Sequence, residues 1–192
     1  AFDEVITGFR VAAGGGQEML GIIPDLATYA KAMAGGFPIA MIAGRRDVMD
    51  YIGNGTVYHG GSFNSNVMSI AAAYASLKYI QDGGAEFYRN LNEKGHRLMD
   101  GLRSVAKSQE SDLHVQGLGS VFAISFTTKH EIMNWRDHAR NCDDEKYGRF
   151  AREMLKKGIR LASNGRTHLS SAHTNEDIDE TIAAVAAVLP TL

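Results

Sequence analysis

Four runs of consecutive glycine punctuate the first 84 residues of the chain: Gly14-Gly15-Gly16, Gly35-Gly36, Gly60-Gly61 and Gly83-Gly84. Glycine loses more backbone freedom on ordering than any other residue, so adjacent glycines interrupt helices and strands and mark turns. Between these breaks lie short apolar segments. Phe2 to Ile6 reads as the end of a buried strand, and Gly14 to Gly16 as a loop. Pro24-Asp25 turns into a short strand running to Tyr29, and Lys31 follows it between elements. Gly35-Gly36-Phe37-Pro38 separates that turn from a further apolar segment, Ile39 to Ala43. The Gly60-Gly61-Ser62-Phe63-Asn64 loop leads into Val67 to Ile80, which is alanine-rich with helical spacing and is expected as a largely buried helix.

The break at Asp82-Gly83-Gly84 is taken as a domain boundary, giving residues 1–81 and 82–192. Phe87, Leu91, Leu98, Leu102 and Val105 then form the apolar stripe of an amphipathic helix. Val121 to Phe126 reads as a strand after a Gly117-Leu118-Gly119 turn. Asp144 to Lys157 reads as a helix stopped by Gly158, Ile159 to Ala162 as a strand, and His168 to Ser171 as its antiparallel neighbour. Thr174 caps a last helix with Glu176 and Asp177 in its first turn. Ile178, Ile182, Val185 and Leu189 make up that helix's buried face.

With 192 residues, 44% of them hydrophobic, and a formal charge of −2, the chain can bury a real core but presents no broad basic face for nucleic acid. No apolar run approaches the roughly 20 residues of a membrane span, so no membrane partner is expected. Cys142 is the only cysteine; its charged surroundings suggest exposure, its solitude excludes an intrachain disulfide, and a reducing cytoplasm fits best. No dinucleotide fingerprint or phosphate-loop motif occurs, and His130-Glu131 is followed by Asn134 where a zinc-protease motif needs histidine. No metal is therefore expected. His59, His168 and His173 read as hydrogen-bonded structural groups. The chain opens on Ala1 within a strand-end pattern and reads as cut mid-domain.

A pyridoxal enzyme needs a lysine amine to hold the cofactor aldehyde, a carboxylate to keep the ring nitrogen protonated, and donors for the phosphate. Lys31, Asp3 and the Gly60-Gly61-Ser62 loop meet these needs in a workable order, although each alone is an ordinary surface or capping residue. In combination, Phe2-Asp3-Glu4-Val5-Ile6-Thr7-Gly8-Phe9-Arg10, Pro24 to Lys31 and Gly35-Gly36-Phe37-Pro38 resemble the signature of class III aminotransferases, as does the spacing from Asp3 to Lys31. The likeness is nearest to the branch containing glutamate-1-semialdehyde 2,1-aminomutase. Gly61 to Asn66 is similar to that family's phosphate loop, and Leu169 to Ile178 to its closing strand and last helix.

The resemblance implies an α/β fold-type-I pyridoxal 5'-phosphate (PLP) enzyme, with residues 1–81 completing a large cofactor domain and 82–192 forming a small α+β domain. It makes Lys31 the Schiff-base lysine and proton shuttle, Asp3 the partner of the pyridine nitrogen, and Val5 an apolar wall against the ring. Ser62 stands where the family usually has threonine, a hydroxyl that reaches the phosphate of the neighbouring subunit in a homodimer. Glu4 is read as a structural anchor. Arg166, just before the closing Leu-Ser strand, is the candidate grip for a substrate carboxylate. The implied reaction moves an amino group between an amino acid, β-amino acids included, and a keto acid or aldehyde. The alternatives are the intramolecular aminomutase and an inactive or scaffolding half. The family's phosphate-binding turn and ring-stacking aromatic residue fall upstream of Ala1, so this stretch by itself should not make a complete site.

Overall fold

The structure is a computed structural model that describes residues 1–192. Its contacts divide the chain into two compact units, Ala1–Tyr88 and Arg89–Leu192.

In the first unit, β1 (Phe2–Glu4) is followed by α1 (Gly15–Leu20), β2 (Leu26–Tyr29), a 3-10 turn (Lys31–Ala34), β3 (Met41–Gly44) and α2 (Arg46–Gly53). α3 (Val67–Ser108) then begins in this unit and is broken at Gly84, whose φ of 53° and ψ of −145° are not helical. The sheet order is β1-β2-β3, with β1 parallel to β2 and β3 antiparallel to it. Ala27 and Tyr29 of β2, Met33 and Ala34 of the 3-10 turn, and Ala73 of α3 form its buried core, flanked by Phe2, Phe9, Ile39 and Leu77. Tyr29 is tilted against Phe9 at 5.5 Å between ring centroids.

Two expectations are corrected in this unit. Gly15 and Gly16 do not lie in a loop; they open α1, because the Glu4 carboxylate accepts the N–H groups of Gly16 and Gln17, both at 2.8 Å. A long-range acceptor thus supplies the cap that the glycines lack locally. The helix from Val67 is not largely buried either: Ser69 and Ala73 are buried, whereas Val67 is 79% and Tyr74 70% exposed. Ser69 and Ala73, with the half-buried Ala72 and Leu77 beside them, make one thin stripe toward the core, and Val67, Met68, Ile70, Tyr74 and Tyr79 stay exposed.

The second unit contains the later part of α3, β4 (Leu113–Leu118), β5 (Val121–Phe126), α4 (Trp135–Asn141), α5 (Asp144–Lys156), β6 (Arg166–His168) and α6 (Asn175–Val188). Its antiparallel sheet is ordered β4-β5-β6. Leu98, Met99, Leu102, Phe126, Phe150, Met154, Ile178 and Val185 fill the core. Phe126 and Phe150 meet edge to face at 5.5 Å, and each such burial contributes about 1.5–3 kcal/mol. Thr174 and Asp177 cap α6 reciprocally, as the sequence suggests.

Here Gly117 and Leu118 belong to β4 rather than to a turn, since Gly117 pairs with Phe122 and Leu118 with Val121. Ile159 to Ala162 is not a strand. The Ile159 N–H bonds back to the Met154 carbonyl at 3.0 Å, and the Ala162 carbonyl accepts from the Tyr147 hydroxyl at 2.7 Å, so these backbone groups are satisfied without a ladder. β6 consequently pairs with β5, with Thr167 opposite Phe122. Cys142 is half-buried rather than exposed. Burial pushes its thiol above the ordinary 9.0, against the lowering effect of hydrogen bonds with Ser125 and Thr127, so the protonated, unreactive form is favoured.

Candidate active site

Asp3 stands opposite Thr28 and Glu4 opposite Tyr29 in the parallel pair. Because both strands run the same way, Lys31, two residues beyond the end of β2, follows the same carboxyl edge at which β1 delivers Asp3. Ligands of α/β sheets bind outside this edge, where chains leave the strands and diverge.

The backbone at Lys31 is unusual. Its φ is 41°, in the left-handed region, between an extended Ala30 and the buried Met33 and Ala34 of the 3-10 turn. Such a conformation in a side-chain-bearing residue costs about 1–3 kcal/mol and persists only where its surroundings enforce it. Met33 and Ala34, at 3% and 1% exposed, provide that enforcement by anchoring the turn in the core. The Lys31 side chain is exposed and enters no hydrogen bond or ion pair. Asp3 is also exposed; one carboxylate oxygen accepts the Val5 N–H at 3.0 Å and the other takes no partner within the chain. Val5 itself is half-buried.

Behind Asp3 lies a network that the spacing of residues does not reveal. Glu4 is 1% exposed, and its carboxylate takes the Thr7 hydroxyl as well as the two N–H groups of α1. The Glu4 carbonyl accepts the Gly8 N–H at 2.9 Å. A side chain at Gly15, where φ is +73°, would bring its Cβ to 2.6 Å from the Glu4 carboxylate, so only glycine fits there. Gln17 donates to the Tyr29 hydroxyl at 2.5 Å. Burial first, and then the Glu4 charge, raise the Tyr29 phenol above its ordinary value, while the Gln17 bond opposes them. Tyr88 donates to the Phe9 carbonyl at 3.1 Å, and burial with the Glu18 charge pushes its phenol up to about 12. Both phenols stay protonated at neutral pH.

Ser62 is exposed in the loop that precedes α3. Asn66 closes that loop by accepting the Ser69 N–H at 3.1 Å, and the Ser69 hydroxyl donates to the Pro38 carbonyl at 3.0 Å. The first unit therefore holds Asp3, Val5, Lys31 and Ser62, while Arg166 belongs to the second. Arg166 opens β6 opposite Ala123, with its side chain exposed. It lines a cavity of about 260 Å³ with Arg160, His168, His173 and Asp177. The His173 ring accepts the Ser170 N–H at 3.0 Å through Nδ1, a structural role. His168 also has a partner, and His59 is exposed with none. No group of three or more His, Cys, Asp or Glu is gathered where it could hold a metal ion.

Comparison with known proteins places this arrangement. Residues 1–189 match the profile of the family described as aminotransferase class-III. A glutamate-1-semialdehyde 2,1-aminomutase of Desulforapulum autotrophicum is 40% identical over 191 residues, covering 98% of this chain and 44% of that protein. The protein of the same name from Methanobrevibacter smithii is 37% identical with the same coverage. The chain thus spans less than half the length of these relatives. Among solved structures, a β-phenylalanine aminotransferase from Variovorax paradoxus superposes with a TM-score of 0.85 at 29% identity, covering 99% of this chain and 44% of that one. The α/β unit and the unit after it thus have the fold of part of a fold-type-I PLP-dependent transferase, and the chain belongs to the class-III aminotransferase family.

Proposed function

We propose that this chain supplies the lysine and the carboxylate of a PLP-dependent aminotransferase. One observation carries the reading: the parallel pairing of β1 with β2 brings Asp3 and the unpartnered Lys31 to one sheet edge, with Lys31 in a strained conformation held by a buried turn. The groups present suit the cofactor. A free primary amine can hold an aldehyde carbon, and a carboxylate with an unused oxygen can face a ring nitrogen. When bound, PLP supplies an aldehyde for amine exchange and a ring that takes up charge from the substrate carbon.

The chain's own residues then divide the work. Lys31 Nζ would hold the cofactor aldehyde and, with its amine free, would take and return a proton at the substrate carbon. Asp3 keeps the ring nitrogen protonated, because a nearby anion favours the charged form of a base. Val5 offers an apolar wall. Ser62 donates its hydroxyl to a phosphate oxygen of the neighbouring subunit, which makes the complete enzyme a homodimer. Arg166 holds the carboxylate of an amino or keto acid through two parallel hydrogen bonds. The likeness to the β-phenylalanine aminotransferase of Variovorax paradoxus supports an amino-acid substrate of the β class. No helix is long and apolar enough to cross a membrane, and a single half-buried thiol suits a reducing cytoplasm.

A second reading is favoured by the names of the relatives at 37% and 40% identity, both aminomutases. Comparing Arg166→Ala with the parent on carboxylated and decarboxylated amine donors separates the two. Selective loss on the carboxylated donor supports the aminotransferase. Equal losses, or conversion of glutamate-1-semialdehyde to 5-aminolevulinate without an external keto acid, support the mutase. The reading of Lys31 is tested by Lys31→Ala in the holoenzyme, which is expected to abolish turnover while leaving thermal unfolding close to that of the parent; near-parental activity contradicts it.

A further inference from the structure

We infer that Glu4 is a positioning residue: through four hydrogen bonds it fixes the end of β1 so that the Asp3 carboxylate presents its free oxygen to the cofactor's ring nitrogen. The inference rests on the reading of Asp3 above. A buried carboxylate is costly unless hydrogen bonds replace its lost water, and here the donors come from the turn that leaves β1 and from the first turn of α1. Thr7 donates through its hydroxyl, and Gly16 and Gln17 through their backbone N–H groups at 2.8 Å. The N-terminus of α1 adds its positive partial charge to the same site. The Gly8 N–H holds the Glu4 carbonyl at 2.9 Å.

These bonds lock both the side chain and the peptide of Glu4, and that matters because of where the Asp3 side chain makes its one hydrogen bond. The Asp3 carboxylate accepts the Val5 N–H at 3.0 Å, a bond that spans Glu4. The torsions of Glu4 therefore set the direction of the Asp3 carboxylate, and the first oxygen's engagement with Val5 leaves the second one oriented outward. Glu4 faces the buried side of β1 while Asp3 faces out, as alternation along a strand requires, so Glu4 acts on the cofactor only through Asp3. Tyr29 packs beside this network, opposite Glu4 in register, and its hydroxyl accepts from Gln17.

The test uses holoenzyme loaded with PLP labelled with nitrogen-15 in its ring. The readouts are the chemical shift of that nitrogen, kcat and KM, and the thermal unfolding temperature. In Glu4→Gln, one carboxylate oxygen becomes an amide donor, and the shift is expected to move from the protonated toward the neutral value. With the carboxylate of Asp3 misdirected, kcat falls by roughly one order of magnitude at little-changed KM. Thr7→Val keeps the Glu4 charge and removes one of its donors, so it is expected to move the shift in the same direction by a smaller amount. This second variant separates geometry from charge and carries the test if Glu4→Gln does not fold. Asp3→Asn is the reference. If Asp3→Asn moves the shift while Glu4→Gln and Thr7→Val lower only the unfolding temperature, Glu4 is a structural anchor and the positioning role is overturned. If Asp3→Asn leaves the shift at the parental value, the reading of Asp3 fails and the role of Glu4 falls with it.

Discussion

At the scale of single residues, Asp3 and Glu4 show how adjacent carboxylates acquire opposite fates. Alternation along β1 sends one outward with a single hydrogen bond and the other inward to three donors. Asp3→Asn is expected to keep the cofactor but lose at least about two orders of magnitude in rate, because a neutral amide no longer favours the protonated ring. Steady-state kinetics beside a cofactor titration checks this, and an unchanged rate would reduce Asp3 to a structural anchor. The types of these residues and the spacing from Asp3 to Lys31 were legible in the sequence. The strained φ at Lys31 and the network around Glu4 were not, because both depend on groups brought together by folding: Met33 and Ala34 under the turn, and Gly16 and Gln17 from beyond an intervening loop.

Among elements, α6 was the plainest in the sequence, since its capping box and apolar face are written within a few residues. Thr174→Ala removes the acceptor for the Asp177 N–H, and a loss of about 1 kcal/mol in the unfolding free energy is expected by denaturant titration. Asp177 adds a pH dependence. Hydrogen bonds from the Thr174 backbone and then its hydroxyl hold the Asp177 carboxylate below its ordinary 3.8. Its contribution is therefore fully present above the unfolded value and lost as pH falls through the lowered folded value; in Thr174→Ala that loss of stability in acid should be smaller. β4 was harder to see, although Leu113 and Val115 alternate with His114 and Gln116, because its end runs through Gly117 and Leu118 into what reads as a turn. α1 was hidden for a related reason: glycine is a poor helix former, and its cap comes from Glu4. The false strand at Ile159 to Ala162 had the right residue types, but Tyr147 captured its backbone instead.

Over the whole molecule, the two units differ in how fully they bury their apolar side chains. Ile23, Tyr58, Phe63 and Val67 of the first unit are each between 79% and 89% exposed. Exposed apolar residues in such number mark surfaces that associate, so residues 1–192 alone are expected to bind a hydrophobic dye and to run above monomer mass in light scattering; a clean monomer without dye binding would contradict this. The proposed sharing of Ser62 between subunits has its own test. A mixture of Ser62→Ala and Lys31→Ala subunits should regain partial activity, since one site of each hybrid dimer has both groups intact, and no recovery would place Ser62 in its own subunit's site. The central claim is that Lys31 carries the cofactor, and its most direct test is chemical. The holoenzyme is reduced with borohydride, digested and analysed by mass spectrometry: the account requires the mass of a reduced pyridoxyl-phosphate adduct on the peptide containing Lys31, whereas an adduct confined to another lysine, or none in a preparation that is catalytically active, would contradict it.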